Sequence, residues 1–225
     1  MSKTSLLPSV GKLFSDSWKQ YNDRFQLFFM ISLVASVALL VMQIVQLYLD
    51  DSAWAIALTI VMAIISIYIS VWVQGAMTLA AHSTEQRDWQ GFFSKSQTKV
   101  GVLFWASVLS GLAALGGLIL IIVPGVIFAL WFVFAGFFIM YENKGVIDSM
   151  KASKALVKGN MGGLFGRFLV VGIVYIAIAI ISSVVSSFTS PILYAVISAL
   201  ITALITPFFL LCTYNLYTAL KSRAA

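Results

Sequence analysis

Charge is scarce in this sequence: Asp, Glu, Lys and Arg make up 10% of its 225 residues, against about a quarter in an average soluble domain. So little charge beside 61% hydrophobic residues excludes an ordinary water-soluble globule and marks an integral membrane protein. Histidine and cysteine occur once each, as His82 and Cys212. The chain alone therefore builds neither a multi-ligand zinc site nor a disulfide framework, and no metal or cofactor is expected. The glycine-rich stretch GNMGGLFG, residues 159–166, lacks the Lys-Ser/Thr ending and the preceding strand of a phosphate loop, so no nucleotide is expected either. A basic excess spread over four segments that lie against lipid is the wrong shape for nucleic acid.

What is present is a series of apolar runs. A spanning helix needs roughly 20 apolar residues to cross a core of about 30 Å. By that ruler the spans are about 25–49, 53–81, 100–122, 124–141, 168–188 and 191–220, within a single membrane domain covering 1–225. The run 100–141 holds no charge and is about twice one span, so it reads as two helices meeting at a turn at Val123-Pro124-Gly125. Pro124 suits the first turn of the second helix, and Gly125 supplies freedom for a tight reversal. None of these runs contains Asp, Glu, Lys, Arg or His. That removes the buried titratable groups an intramembrane hydrolase or proton-coupled carrier requires. Glu142, Asp148, His82 and Glu85, at the segment edges, read as solvated helix ends, and the chain is not expected to be an enzyme.

All fourteen Lys and Arg residues fall between the spans on one side, as the positive-inside rule demands of a correct count. The other side holds Asp50-Asp51, the Pro-Gly turn and residues 186–190. Both termini are thus expected in the cytoplasm, with no cleaved signal peptide, since the first apolar run is long for one and leads into Asp-Asp.

The basic segments carry helical periodicity of their own. Val10, Leu13, Phe14, Ser17, Trp18, Tyr21 and Phe25 oppose Lys12, Asp16, Lys19 and Asp23. Trp89, Phe92, Phe93 and Val100 oppose Asp88, Lys95 and Lys99, and Val146, Ile147, Met150 and Val157 oppose Asp148, Lys151, Lys154 and Lys158. These predict amphipathic helices over about 9–23, 87–99 and 145–159, lying in the cytoplasmic interface. The expected fold is all-α: six transmembrane helices as three hairpins, each preceded by such a helix. Lys12, Lys19, Arg24, Lys95, Lys99, Lys151, Lys154, Lys158 and Arg167 are then candidate contacts for anionic lipid head groups.

Residues 121–166, IIVPGVIFALWFVFAGFFIMYENKGVIDSMKASKALVKGNMGGLFG, resemble the hallmark of a prokaryotic superfamily of six-span membrane proteins. It includes the YciC-like inner-membrane proteins and the membrane domain attached to some glycerophosphoryl diester phosphodiesterases. The matching features are Val123, Pro124 and Gly125, then Glu142, Lys144 and Gly145, then Ser149 and Ser153, and finally Gly159 and Asn160. At Lys154 the sequence departs, since an aromatic residue commonly follows the serine in that pattern. The resemblance implies a multi-pass protein of a prokaryotic inner membrane and no defined activity; the phosphodiesterases use a separate catalytic domain that this chain lacks.

Uncharged polar residues fall in stripes within the spans: Ser32, Ser36, Gln43 and Gln46; Ser66, Ser70 and Gln74; Ser198, Thr202 and Thr206, with Thr213 beyond. Pro207 frees the carbonyl of Ala203, which Thr202 or Thr206 is placed to re-satisfy. Two readings stand. The stripes pack helix on helix, each hydrogen bond worth about 0.6 kcal/mol, or they line a polar cleft for a lipid head group or small neutral solute. Ala106, Ser107, Ser110, Gly111, Ala114 and Gly117 form a further small face, read as packing. The function expected is a non-enzymatic membrane protein, structural, lipid-interacting or the partner subunit of another membrane protein. The alternative is a transporter or channel-like protein for a neutral or lipid solute without proton coupling.

Overall fold

The computed structural model describes residues 7–50, 52–83, 88–120 and 122–224. Lys3, Asp51, Glu85, Arg87 and Ile121 lie outside them. The described residues are helical, with no strand among them. In chain order the helices are α1 (Val10–Asp23), α2 (Phe25–Gln46), α3 (Ala53–His82), α4 (Trp89–Gln97), α5 (Val100–Leu120), α6 (Ile122–Phe132), α7 (Ala135–Glu142), α8 (Val146–Val157), α9 (Met161–Ser186) and α10 (Pro191–Ala224). Six segments are long and apolar enough to cross a membrane, with α6 and α7 together making the fourth, Val123–Glu142. The protein is thus an all-helical, multi-pass membrane protein.

Packing is concentrated at the end that carries the termini. There α1, α4 and α8 fill the spaces between the long helices. One cluster joins Tyr21, Phe28, Ile31, Met77, Phe92 and Leu211; a second joins Leu13, Phe134, Phe138, Val157, Leu164 and Leu216. Arg24 ties the α1–α2 junction to the end of α3, donating to the carbonyls of Ala80 at 2.8 Å and Ser83 at 2.5 Å. Glu142 pairs with Lys144 at 3.0 Å and Lys221 at 2.6 Å. The other end, where Leu47, Tyr48, Trp54, Ile119 and Phe188 are exposed, lacks such fillers.

Four sequence expectations are corrected. Val123, Pro124 and Gly125 do not form the turn, because α6 already begins at Ile122; Pro124 does sit in the first turn of that helix, as expected, where a missing N–H costs nothing. Gly125 is not needed for a special φ, because the positive-φ glycine is Gly159, at 93° in the α8–α9 connection. Its reason is close approach. A Cβ on Gly117 would lie 2.7 Å from the Gly125 Cα, and one on Gly125 would lie 2.7 Å from the Leu118 nitrogen. The span expected over 124–141 is broken at Val133 and Phe134, between α6 and α7. α9 begins at Met161 rather than Phe168, and so takes in Arg167.

α8 turns Val157 and, half-buried, Val146 and Met150 inward as its pattern suggests, but not Ile147, and adds two serines to that face. Ser149, Ser153 and Val157 are buried, while Ile147 is exposed. Small side chains win that face because α8 packs closely on α5, α6 and α7 at once.

Candidate functional site

A polar group inside an apolar bundle either finds a partner or remains a demand on its surroundings. The stripes divide on this criterion. Ser32 Oγ donates to the Ala203 carbonyl at 2.6 Å, so the group freed by Pro207 is taken by α2, not by Thr202 or Thr206 as the sequence suggested. Ser36 donates to the Ser32 carbonyl, Ser66 to Met42 Sδ, Thr202 to the Ser198 carbonyl and Thr213 to the Phe209 carbonyl. Ser198 donates to Gln43 Oε1 at 3.2 Å, joining α10 to α2. Gln46 is exposed at the end of α2, away from the others.

The remainder converge. Ser70 and Gln74 from α3, Ser107 and Ser110 from α5, and Thr206 from α10 line one cavity of about 500 Å³. None of these five side chains has a hydrogen-bond partner among the described residues. Leu39, Met77, Leu103, Phe137 and Leu210 supply apolar wall, and among the described residues no charged side chain or histidine lines it. Ser70, Gln74 and Ser107 also border a groove of about 350 Å³ running between α2 and α3. Sequence reasoning placed Ser107 and Ser110 on a packing face. A stripe shows which face of a helix is polar, and it does not show whether a neighbouring side chain reaches that face.

The α6–α7 break opens onto this cavity, with Phe132, Val133, Ala135 and Gly136 on its wall. Irregular backbone at membrane depth persists where it is covered by protein or lines a cavity. The cover comes from α8: the Phe134 N–H donates to Ser153 Oγ at 3.1 Å. Toward the terminal end, Phe137 stacks on Tyr217 at 5.0 Å and Tyr141 donates to the Thr78 carbonyl at 2.5 Å. These rings pack at that side of the cavity, with Phe137 in its wall.

The motif residues have local roles. Glu142 holds two lysines, Asn143 ends α7 with φ 52°, and Gly159 supplies the positive φ that leads into α9, whose first turn Asn160 opens by accepting from the Leu164 N–H. Gly145 precedes α8 and accepts from the Ser149 N–H. Ser149 donates within its own helix, to Val146.

The basic residues separate into two groups. Lys12, Lys19, Lys95, Lys151, Lys154 and Lys158 are exposed, with Lys154 Nζ lying 3.8 Å from the centre of the Trp131 ring. Arg24, Lys99 and Arg167 turn inward. Lys99 donates to the Met140 carbonyl at 2.8 Å, and burial pulls its pKa below the ordinary lysine value. Arg167 is buried and donates to the carbonyls of Pro8 at 2.7 Å, Leu7 at 2.9 Å and Gly163 at 2.7 Å. It is a clamp on the N-terminal segment rather than a lipid contact, because its donors are spent on backbone.

His82 Nδ1 lies 3.2 Å from Tyr214 Oη. Asp148 sits exposed in the first turn of α8, where its charge complements the helix dipole. Among the described residues no group of three or more His, Cys, Asp or Glu side chains is arranged to hold a metal ion.

A family model described as a domain of unknown function, DUF7847, matches residues 34–220, and the chain belongs to that family. No curated protein and no solved structure matches it.

Proposed function

We propose that this DUF7847-family chain is a non-enzymatic membrane protein that takes a neutral, hydrogen-bonding lipid or solute into its intrabundle cavity. The observation that carries the reading is the set of unpartnered polar groups on Ser70, Gln74, Ser107, Ser110 and Thr206 around one uncharged space. Ser70, Gln74, Ser107 and Thr206 are exposed to that space rather than buried, so their polar groups are open to a ligand offering hydroxyl or carbonyl groups.

The arrangement we propose around it is three hairpins, α2–α3, α5 with α6–α7, and α9–α10. α1, α4 and α8 head them at the cytoplasmic face of a prokaryotic inner membrane, with both termini inside. The one-sided distribution of Lys and Arg supports this orientation. Lys12, Lys19, Lys95, Lys151, Lys154 and Lys158 then meet anionic head groups, each worth about 1 kcal/mol when well placed. The motif spanning residues 121–166 supports kinship with the YciC-like superfamily. Movement of the same neutral ligand through the bundle is the second reading, favoured by the groove that leads outward between α2 and α3.

Gentle extraction followed by native mass spectrometry tests the site. The native chain is expected to carry a neutral adduct that Gln74→Leu with Thr206→Val loses while the helical circular dichroism is kept. An adduct unaffected by these changes rules out the cavity as its place. A topology reporter inserted at Ser52 is expected on the non-cytoplasmic side, and a cytoplasmic signal overturns the orientation.

A further inference from the structure

A second space adjoins the cavity. A cleft of about 230 Å³ lies between α9 and α10, walled by Tyr175, Ala179 and Ser182 on one side and Tyr194, Ile201 and Ile205 on the other. It shares Thr202 and Thr206 with the central cavity, so the two spaces adjoin across α10.

α9 is packed by side chains at one end and joined to α10 by residues 187–190 at the other. Its buried residues are Leu164, Arg167 and Val171, all in its first half. There the Arg167 clamp fixes it to the N-terminal segment, and Phe168 lies 6.5 Å from the Phe134 ring. Beyond Val171 no α9 residue is buried, and Ile173, Ile176, Ile180, Ile181 and Val184 are exposed. Across the seam Tyr175 meets Phe209 at 5.5 Å, an edge contact that a small tilt of α9 breaks. Between the Arg167 clamp and the short 187–190 connection to α10, the middle of α9 is thinly packed, so the seam between the two helices parts there at low cost.

Building on the neutral-ligand reading above, we infer that the ligand is a membrane lipid with an uncharged head bearing hydroxyl or ester groups, of the diacylglycerol class. It enters from the bilayer through the α9–α10 seam. The head sits against Gln74, Ser107 and Thr206, and an acyl chain follows the apolar wall of Ile178, Ile201 and Ile205 outward. A phosphate does not fit, because among the described residues no cation lines either space to offset its desolvation. A water-soluble solute arriving from the terminal end meets the packed rings of Phe137, Tyr141 and Tyr217. A lipid entering sideways avoids that barrier.

The test links the seam. In a Cys212→Ala background, Ala179→Cys and Ile205→Cys are joined by a short bis-maleimide after the protein is loaded, in vesicles, with tail-labelled diacylglycerol. The linked protein is expected to release its lipid at least an order of magnitude more slowly than either single-cysteine variant treated with the same reagent. Phosphatidic acid with the same tails is expected not to be retained. Unchanged release from the linked protein overturns the seam, and equal retention of phosphatidic acid overturns the uncharged head. If no form retains diacylglycerol while native mass spectrometry still finds a neutral adduct sensitive to Gln74→Leu, this inference fails and the cavity reading stands. If the adduct ignores Gln74→Leu, both fall together.

Discussion

The Phe134 N–H donates to Ser153 Oγ across 3.1 Å, so a break inside an apolar segment is capped from another helix. In a continuous helix that N–H would bond the Leu130 carbonyl. Here the α6–α7 break releases the bond, and Ser153, wholly buried on α8, replaces it. Ser153→Ala is expected to leave a buried donor unpaired and to cost about 1–3 kcal/mol, read as a lowered thermal unfolding midpoint in detergent. Ser149→Ala is the matched control. Its hydroxyl donates only to Val146 in its own helix, so a loss well below that of Ser153→Ala is expected. Equal losses would mean that packing, not the cap, is what the serine supplies.

Pro207 and Ser32 form a second pair of break and repair. Pro207 has no N–H to offer the Ala203 carbonyl, and Ser32 Oγ supplies the donor from α2. Ser32→Ala alone is expected to cost about 1–3 kcal/mol. In a Pro207→Ala background position 207 regains its N–H, and the same substitution is expected to cost less, with a coupling of about 1 kcal/mol by double-mutant cycle. Additive effects would show that the carbonyl is not what Ser32 serves.

The tight α5–α6 approach depends on the absence of two Cβ atoms. Gly125→Ala drives a methyl to 2.7 Å from the backbone nitrogen of Leu118, which cannot step aside as a side chain tip does. A loss of about 1–3 kcal/mol is expected, as for overpacking generally. Gly116→Ala, with nothing within 4 Å, is expected to stay within about 0.5 kcal/mol of the native chain. Thermal unfolding of the two side by side checks the contrast.

These cases mark what was legible in the sequence. The six spans and the three short helices were readable because bilayer thickness and helical periodicity fix them locally, and α1, α4 and α8 fall within a few residues of expectation. The α6–α7 break was not, because no Pro or Gly stands at Val133 or Phe134, and the hydroxyl that caps it is on α8, distant in sequence. Arg167 read as a surface cation because its partners, the carbonyls of Leu7 and Pro8, are backbone atoms that leave no mark in composition. The polar stripes were seen, but their division into partnered and unpartnered groups needed the geometry of several helices at once. Pro124 was read correctly as a first-turn proline, while Gly125 was found at the right place for a different reason: close packing rather than a reversal.

Gln43 and Gln74 were indistinguishable as sequence, and the structure makes opposite predictions for them. Gln43 accepts from Ser198, so Gln43→Leu removes a link between α2 and α10 and is expected to cost about 0.6 kcal/mol. Ser198 limits the loss by also donating to the Ala195 carbonyl. Gln74 projects an unpartnered amide into the cavity, so Gln74→Leu is expected to leave stability unchanged or to raise it by up to about 1 kcal/mol in the ligand-free protein. Added diacylglycerol is expected to raise the unfolding midpoint of the native chain and of Gln43→Leu but not that of Gln74→Leu, since a ligand stabilises only the form that binds it. Were Gln74→Leu the more destabilised of the two in the absence of lipid, the amide would be a packing element and the cavity would lose the group that most distinguishes it from a void.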